Sequence, residues 1–587
     1  MKSKLRVVLR SFGQLYNRQF FSSSMIDRSV DVTKGNLSLA LVQLAWPSVL
    51  QAVLSNCYTV SDFFFVGHLS DPVAAAAGTE GIAASVGLSI CLFGLHNVVP
   101  SGCTAFSSQF KGADDKVALG KTFKTGFWAC LVLSSCVALV GHTFIHAIAL
   151  IPHSTPLVTE NIEKFLGTLI LASPCFGLLL LVDGFFKSNG NTLFPFFLEV
   201  ASLVINILLN WLFVFRFNWG IRGSASASAM SRLLPALLGL ARISNGQLNG
   251  IEVNLFSLDG PGWSEINELC ERGAAMCRLG AWQSVSDWTY GFVFTVLIRL
   301  SGALGAAEQA GLGAGMRGLE WISFCVSEGF LVANLTAVGN LIGANMQRRA
   351  NLAALQGAVM SGFSGFVMGL PFIFFSEPIA RLLSNDPEII RFCAQYTKLQ
   401  GFVSFGVGFE IAAYGAFIGA GKAREVFLTN GSMNILRVPI ASLCMFGPSG
   451  FWRGLTWALG INGKLPPAPT GDFRCICWVI AGTAVCKAAL FAIWLNLRWF
   501  RGSYFHDSSL LKNCSAAGTG AGTGAGTGTG TGSVSGSEDL ELADKEGPTR
   551  AAAYIELSQV SEHGGGGAFA ATAAAAADDD DDDDEKI

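Results

Sequence analysis

Trp46-Pro47-Ser48 opens a run that continues through Asn56, Thr59 and Asp62 to Phe65-Val66-Gly67-His68-Leu69. From Gly35 to Ser61 there are 27 residues without a Lys, Arg, Asp or Glu, and about 20 apolar residues suffice to span a bilayer. The run is therefore a membrane helix. A carboxylate in hydrocarbon costs about 2.5–3.5 kcal/mol on insertion scales, so Asp62 is expected to face a polar cavity and not lipid. Its three-residue spacing from Thr59 and Asn56 predicts one helical stripe lining that cavity. The competing reading is a solvated helix end at the membrane boundary, but Phe63-Phe64-Phe65-Val66 carries the apolar run past the acid.

The composition extends this to the whole chain. Of 587 residues 51% are hydrophobic and only 14% charged, against about 25% charged in a soluble domain. Twelve long apolar stretches follow one another, near 38–66, 73–98, 123–151, 164–186, 192–217, 221–243, 274–300, 306–341, 352–378, 390–418, 424–447 and 474–499. The fold class is an all-α polytopic membrane protein, with the bilayer as its first partner. Most of the cysteines sit inside apolar runs, where they act as small hydrophobes, and no metal or redox site is read from them. His142 and His146, four apart, have no carboxylate or cysteine beside them in their span to complete a ligand set.

Basic residues set the topology. Lys111, Lys116, Lys121 and Lys124 lie between spans two and three, and Arg348-Arg349, Lys422 with Arg424, and Arg498 with Arg501 fall in later even-numbered connections. The opposite loops at 67–72 and 152–162 carry no Lys or Arg, so the positive-inside rule places both termini in the cytoplasm. Loop 448–473, with Arg453 and Lys464, reads as an insertion on the outer side. Residues 1–36 form a basic N-terminal segment, read either as an organelle transit peptide or as a cytoplasmic leader. After residue 501 Gly-Thr-Gly-Ala repeats, an alanine run and Asp578 to Asp584 form a low-complexity acidic tail with nothing to bury.

The second six spans repeat the first with a shift of 231 positions. Leu69 corresponds to Leu300, Gly112 to Gly343, Gly177 to Gly408, Phe186 to Phe417 and Gly190 to Gly421. Two six-helix lobes, 37–243 and 274–500, are thus related by a parallel repeat about an axis along the membrane normal, joined by a polar linker at 244–273.

Ionisable residues inside spans are functional candidates by default. In the first lobe these are Asp62, Asp183 and Glu199, with Asn206 and Asn210 four apart on one helix face. A carboxylate and two amides can share a proton or coordinate sodium through oxygen; the alternative for either amide alone is helix-to-helix hydrogen bonding. In the second lobe they are Asp287, Glu320, Glu328, Glu410 and Arg437. Arg317 is expected to pair with Glu320 three residues on, and Glu410 with Arg437 in the neighbouring span, since an unpaired buried charge is costly. No phosphate-binding Gly-Lys-Ser loop or nucleophile elbow is present, so neither ATP hydrolysis nor another enzyme activity is indicated.

At this point the motifs resemble a family. Pro47, then Asp62-x-x-x-Val66-Gly67-x-Leu69, Ala74-Ala75-Ala76-Ala77-Gly78, Gln109-x-x-Gly112-Ala113-Asp114, Gly190-Asn191-Thr192-x-x-Pro195 and Asn206-x-x-x-Asn210 are similar to the multidrug and toxic compound extrusion (MATE) family. The second-half counterparts Arg299-Leu300, Ala306-Ala307, Gly343-Ala344 and Gly419-Ala420-Gly421 match as well, and the resemblance covers about residues 36–500. It implies a monomeric secondary antiporter with two lobes in a V, exporting organic cations or other amphiphilic solutes in exchange for protons or sodium, with no other cofactor and no nucleic acid. Asp62 matches the family's first-helix carboxylate and Asn206 its fifth-helix amide. Asn210 stands where proton-coupled prokaryotic members often carry Asp. Asp287 and Glu410 fall near seventh- and tenth-helix acids of other members. A lipid-linked oligosaccharide flippase of the wider superfamily needs several inward-facing Arg or Lys, and the interior supplies few, Arg299, Arg317 and Arg437; a non-transporting membrane protein is the remaining alternative. Plasma membrane and organelle membrane are both open.

Overall fold

Long uncharged runs leave backbone amides no water to bond, so helices are the structure available to them. A computed structural model describes residues 29–499 apart from 152–154, 247, 249, 252, 256–261, 317–319 and 462–467, and among the described residues there is no strand. The first lobe comprises α1 (Leu37–Gly67), α2 (Pro72–Gly112), α3 (Lys116–Thr143), α4 (Pro156–Leu171), α5 (Ser173–Ser188), α6 (Leu193–Arg216) and α7 (Gly220–Ser244). The second comprises α8 (Gly262–Gly302), α9 (Ala306–Ala314), α10 (Glu320–Gly343), α11 (Gln347–Phe374), α12 (Pro387–Gly419), α13 (Ala423–Ala458) and α14 (Phe473–Trp499).

Nine of these are long and apolar enough to cross a membrane, and the pair α4–α5 makes a tenth, bent by 53° where Pro174 interrupts the helix. The protein is an integral, multi-pass membrane protein. The expected twelve is reached only by counting α7 and α8, long enough at 25 and 41 residues but richer in polar side chains. That polarity has a structural origin in α7, whose serines face the interior.

The duplication is visible in the packing. A Cβ on Gly112 would run into the backbone of Asn340, and one on Gly343 into the backbone of Gln109; both contacts are the same contact after the 231-residue shift. Only a glycine lets the two backbones approach this closely. Gln109 also donates its side-chain amide to the Gly419 carbonyl at 3.0 Å. Gly190 and Gly421, twins again, both take positive φ, +81° and +76°. At the basic end the lobes therefore meet backbone to backbone. Further along, Gly329 of α10 packs on Ala45 and Val49 of α1, and Asn56 donates to the Cys325 sulfur at 3.1 Å. Beyond this point Thr59 and Phe64 of α1 are exposed.

Three boundaries differ from the sequence reading. The N-terminal segment is part of the fold from residue 29: Val30 donates to the Gly190 carbonyl at 3.0 Å, Arg349 binds the Val32 and Gly35 carbonyls at 2.9 and 2.8 Å, and Val32 is buried with second-lobe side chains. A transit or leader role for residues 1–28 lies outside the described residues, as does the acidic tail. The linker is structured at both ends, because Leu248, Ile251, Val253 and Leu255 bury their side chains in the first-lobe core and α8 already begins at Gly262. Loop 448–473 is helical to Ala458, but the chain kinks at Gly447 (φ 65°, ψ 177°), where one helix ends and a second begins, and the Met445 carbonyl just before the kink accepts from the Thr470 and Gly471 amides.

Candidate functional site

Asp62 lies on the last turns of α1, where that helix leaves α10 and leans on α6 and α7. Its carboxylate accepts from Ser224 Oγ at 2.7 Å, from Ser228 Oγ at 3.0 and 3.2 Å and from Asn210 Nδ2 at 3.2 Å. Asn206 donates to Ser228 Oγ at 3.0 Å and accepts from Asn210 at 3.2 Å. All five side chains are buried, and no ion pair closes on Asp62 among the described residues. The Asn210 Oδ1 atom is buried without a hydrogen-bond partner, so the cluster retains an oxygen acceptor. Arg232 acts on this carboxylate only through space, and a carboxylate whose direct partners are all neutral is chemically suited to hold one proton or one small hard cation.

The structure thus brings Asp62, Asn206 and Asn210 together and separates them from Asn56 and Thr59. Three residues turn a helix by about 300°, so each three-residue step rotates the stripe by about 60°; over two steps Asn56 comes to face the other lobe. Ser224 and Ser228 replace it. Their signal in the sequence is the Ser224-Ala-Ser226-Ala-Ser228 run, two hydroxyls four apart in an otherwise small-residue helix.

Asp183 stands apart from Asp62. It accepts from Gln51 at 2.8 Å and from Lys187, four residues later on α5, at 2.7 Å, at the boundary between lobes. Half-buried Glu328 of α10 lies within electrostatic reach of Lys187 and Asp183 from the other side. Glu199 is buried within reach of Arg232, whose guanidinium is sandwiched between the Tyr58 and Phe176 rings at 4.1 and 4.8 Å.

In the second lobe the expected Glu410–Arg437 pair does not form. Glu410 is ion-paired with Lys487 of α14, and Arg437 donates through Nε to Thr483 Oγ1 at 2.7 Å. The face of α14 turned to α12 carries the ammonium, which reaches Glu410 first. Lys487 also donates to Asn430 Oδ1 at 3.1 Å, and Asn430 donates to Ser286 at 3.0 Å. Glu320 accepts from Tyr396 at 2.5 Å and Gln400 at 2.9 Å; Arg317, its expected partner, lies outside the described residues. Asp287 has a long contact, 3.5 Å, with Tyr414. His146 meets Glu163 of α4 at 2.5 Å, while His142 belongs to α3, which ends at Thr143. Cations away from solvent are therefore more numerous than the three read from sequence, with Lys124, Lys187, Arg232, Arg242 and Lys487 added among the described residues; Lys187 and Lys487 are ion-paired with carboxylates.

The MatE family model matches residues 47–212 and 284–443, one stretch in each lobe and together more than half of the chain. The chain is 24% identical over 430 residues to the multidrug and toxin extrusion protein 1 of Homo sapiens, covering 71% of each. It is 23% identical over 428 residues to the probable multidrug resistance protein NorM of Thermotoga maritima, covering 71% of this chain and 88% of that one. Among solved structures, a MOP superfamily transporter from Pyrococcus furiosus superposes with a TM-score of 0.67 at 14% identity, over 81% of this chain and 98% of that one. A eukaryotic MATE transporter does so with 0.64 at 19% identity, over 80% and 98%.

Proposed function

From the premise that this chain belongs to the MatE family, we propose that it is a membrane transporter exporting drugs and organic cations, and that Asp62 couples this export to downhill entry of protons or sodium ions. The observation that carries the coupling is the neutral shell of Asp62. Ser224, Ser228 and Asn210 hold the carboxylate in place, yet none of them cancels its charge. A proton or a sodium ion arriving from one side does cancel it, and the site lies where α1 parts from the other lobe. Occupancy then favours one arrangement of the lobes over the other, which is what coupled alternating access requires.

The remaining groups fit the same cycle. Asp183, Lys187 and Glu328 line the boundary between lobes, where charges come together or apart as the lobes move. Two of the interior cations sit on carboxylates, which supports a cationic or zwitterionic solute over a polyanionic one.

Asp62→Asn copies the protonated state permanently and keeps the shape of the shell. In proteoliposomes under imposed proton or sodium gradients, with a panel of cationic and anionic solutes, the variant is expected to fold and bind solute while gradient-driven transport falls to background. Full gradient-driven transport by this variant would move the coupling site out of the first lobe. The gradient that drives the unaltered protein identifies the ion.

A further inference from the structure

Among the ion pairs of the described residues, Glu410 and Lys487 form the most deeply buried one. The Lys487 and Glu410 side chains are 6% and 9% exposed. The ammonium rests on Glu410 Oε1 and on Asn430 Oδ1, and Asn430 is itself fixed by Ser286 and by Asn434 at 3.3 Å. A carboxylate and an amide oxygen facing one point are what a bound cation needs, and here the chain supplies the cation. The second carboxylate oxygen, Glu410 Oε2, is buried with no hydrogen-bond partner, so the acid is not saturated. Tyr290, Glu320 and Arg437 lie within electrostatic reach of the same point, and Arg437 is bonded to Thr483, one turn before Lys487, and not to the carboxylate.

A lysine on a four-carbon stem is a mobile point charge. Leaving Glu410, its ammonium can remain on Asn430, where Glu320 still acts on it through space, while the charge on Glu410 is balanced by an incoming cation. We propose that Lys487 is a tethered cation occupying the Glu410 site, and that an exported organic cation enters this lobe by displacing it. The proposal rests on the reading of the chain as an organic-cation exporter and gives that reading a second-lobe subsite with a built-in competitor. A competitor that must be displaced lowers apparent affinity by the fraction of sites left free, so the site releases its solute readily.

The test uses the full-length protein in detergent or nanodiscs, with tetraphenylphosphonium as probe. Lys487→Met removes the competitor and leaves the carboxylate, so probe affinity is expected to rise by about tenfold. Adding Glu410→Gln to Lys487→Met should abolish the gain. Unchanged or weaker binding by Lys487→Met, or a gain that survives in the double variant, overturns the proposal. Either reading lowers the unfolding temperature of Lys487→Met, which strands a buried carboxylate; a purely architectural pair leaves affinity alone. Reductive methylation of the unaltered protein, followed by mass spectrometry, gives a reading independent of any variant's folding. The rate at Lys487 relative to Lys187 is expected to rise severalfold with saturating probe, and a rate that is unchanged or lower counts against displacement. Ion-gradient transport does not enter these measurements, so loss of the Asp62 coupling scheme and loss of this proposal are separable results.

Discussion

Asp62 and Glu410 are both buried carboxylates at the heart of a lobe, yet one is ringed by hydroxyls and amides while the other holds an ammonium. The scaffold around them is duplicated; the chemistry is not. Under the 231-residue shift Asp62 corresponds to Val293, Asn206 to Arg437, Asn210 to Ala441 and Glu199 to Asn430. The positions that did stay alike, Gly112 with Gly343 and Gly190 with Gly421, are those where two backbones touch or φ is positive. There any side chain clashes or strains. Interior polar positions are under a looser constraint, since any set that balances charge and fills its hydrogen bonds is stable. One lobe can therefore keep an acid with no direct ion pair while the other carries its own counter-charge.

The strongest way to break this comparison is to remove one member of the second-lobe pair. Glu410→Gln strands a buried ammonium and should cost about 3–5 kcal/mol of stability; Glu410→Gln with Lys487→Met should recover most of it. Arg437 is bonded to Thr483 and acts on Glu410 only through space, so the coupling of Glu410→Gln with Arg437→Gln should be clearly smaller than that of Glu410→Gln with Lys487→Met. Unfolding midpoints in detergent measure both cycles, and strong coupling to Arg437 with none to Lys487 would reverse the assignment.

A smaller effect tests the shared scaffold. Gly112→Val and Gly343→Val each drive a side chain into the opposing backbone and should weaken closure at the basic end by about 1–3 kcal/mol. Because the contact is reciprocal, the two should act alike. Spin labels on exposed Lys116 and Arg348 should show longer inter-lobe distances in both variants, and a shift in only one would mean that the two contacts are not equivalent. The smallest effect sharpens the boundary of the first-lobe cluster. Ser202 donates to the Ser231 carbonyl at 2.8 Å without touching Asp62, so Ser202→Ala should cost about 0.5–1.5 kcal/mol of stability with the ion dependence of transport unchanged. A changed ion dependence would enlarge the coupling unit to include it.

Sequence alone determined the membrane class, the tandem repeat, the two lobes and the first-lobe acid with its two amides, because hydropathy, glycine spacing and a four-residue period are properties of one helix at a time. It also held a signal for Lys487, an isolated charge in an apolar span, by the same rule that marks Asp62. The partners were decided elsewhere. Which side chain meets Glu410 depends on the rotation of α12 against α13 and α14, and Lys487 and Arg437 differ there by a helix face and not by any pattern along the chain. The place of Asn56 followed from the same cause, since a three-residue spacing drifts around the helix until its ends address different neighbours. Tertiary packing alone turned a list of intramembrane charges into a lone carboxylate in one lobe and a closed ion pair in the other.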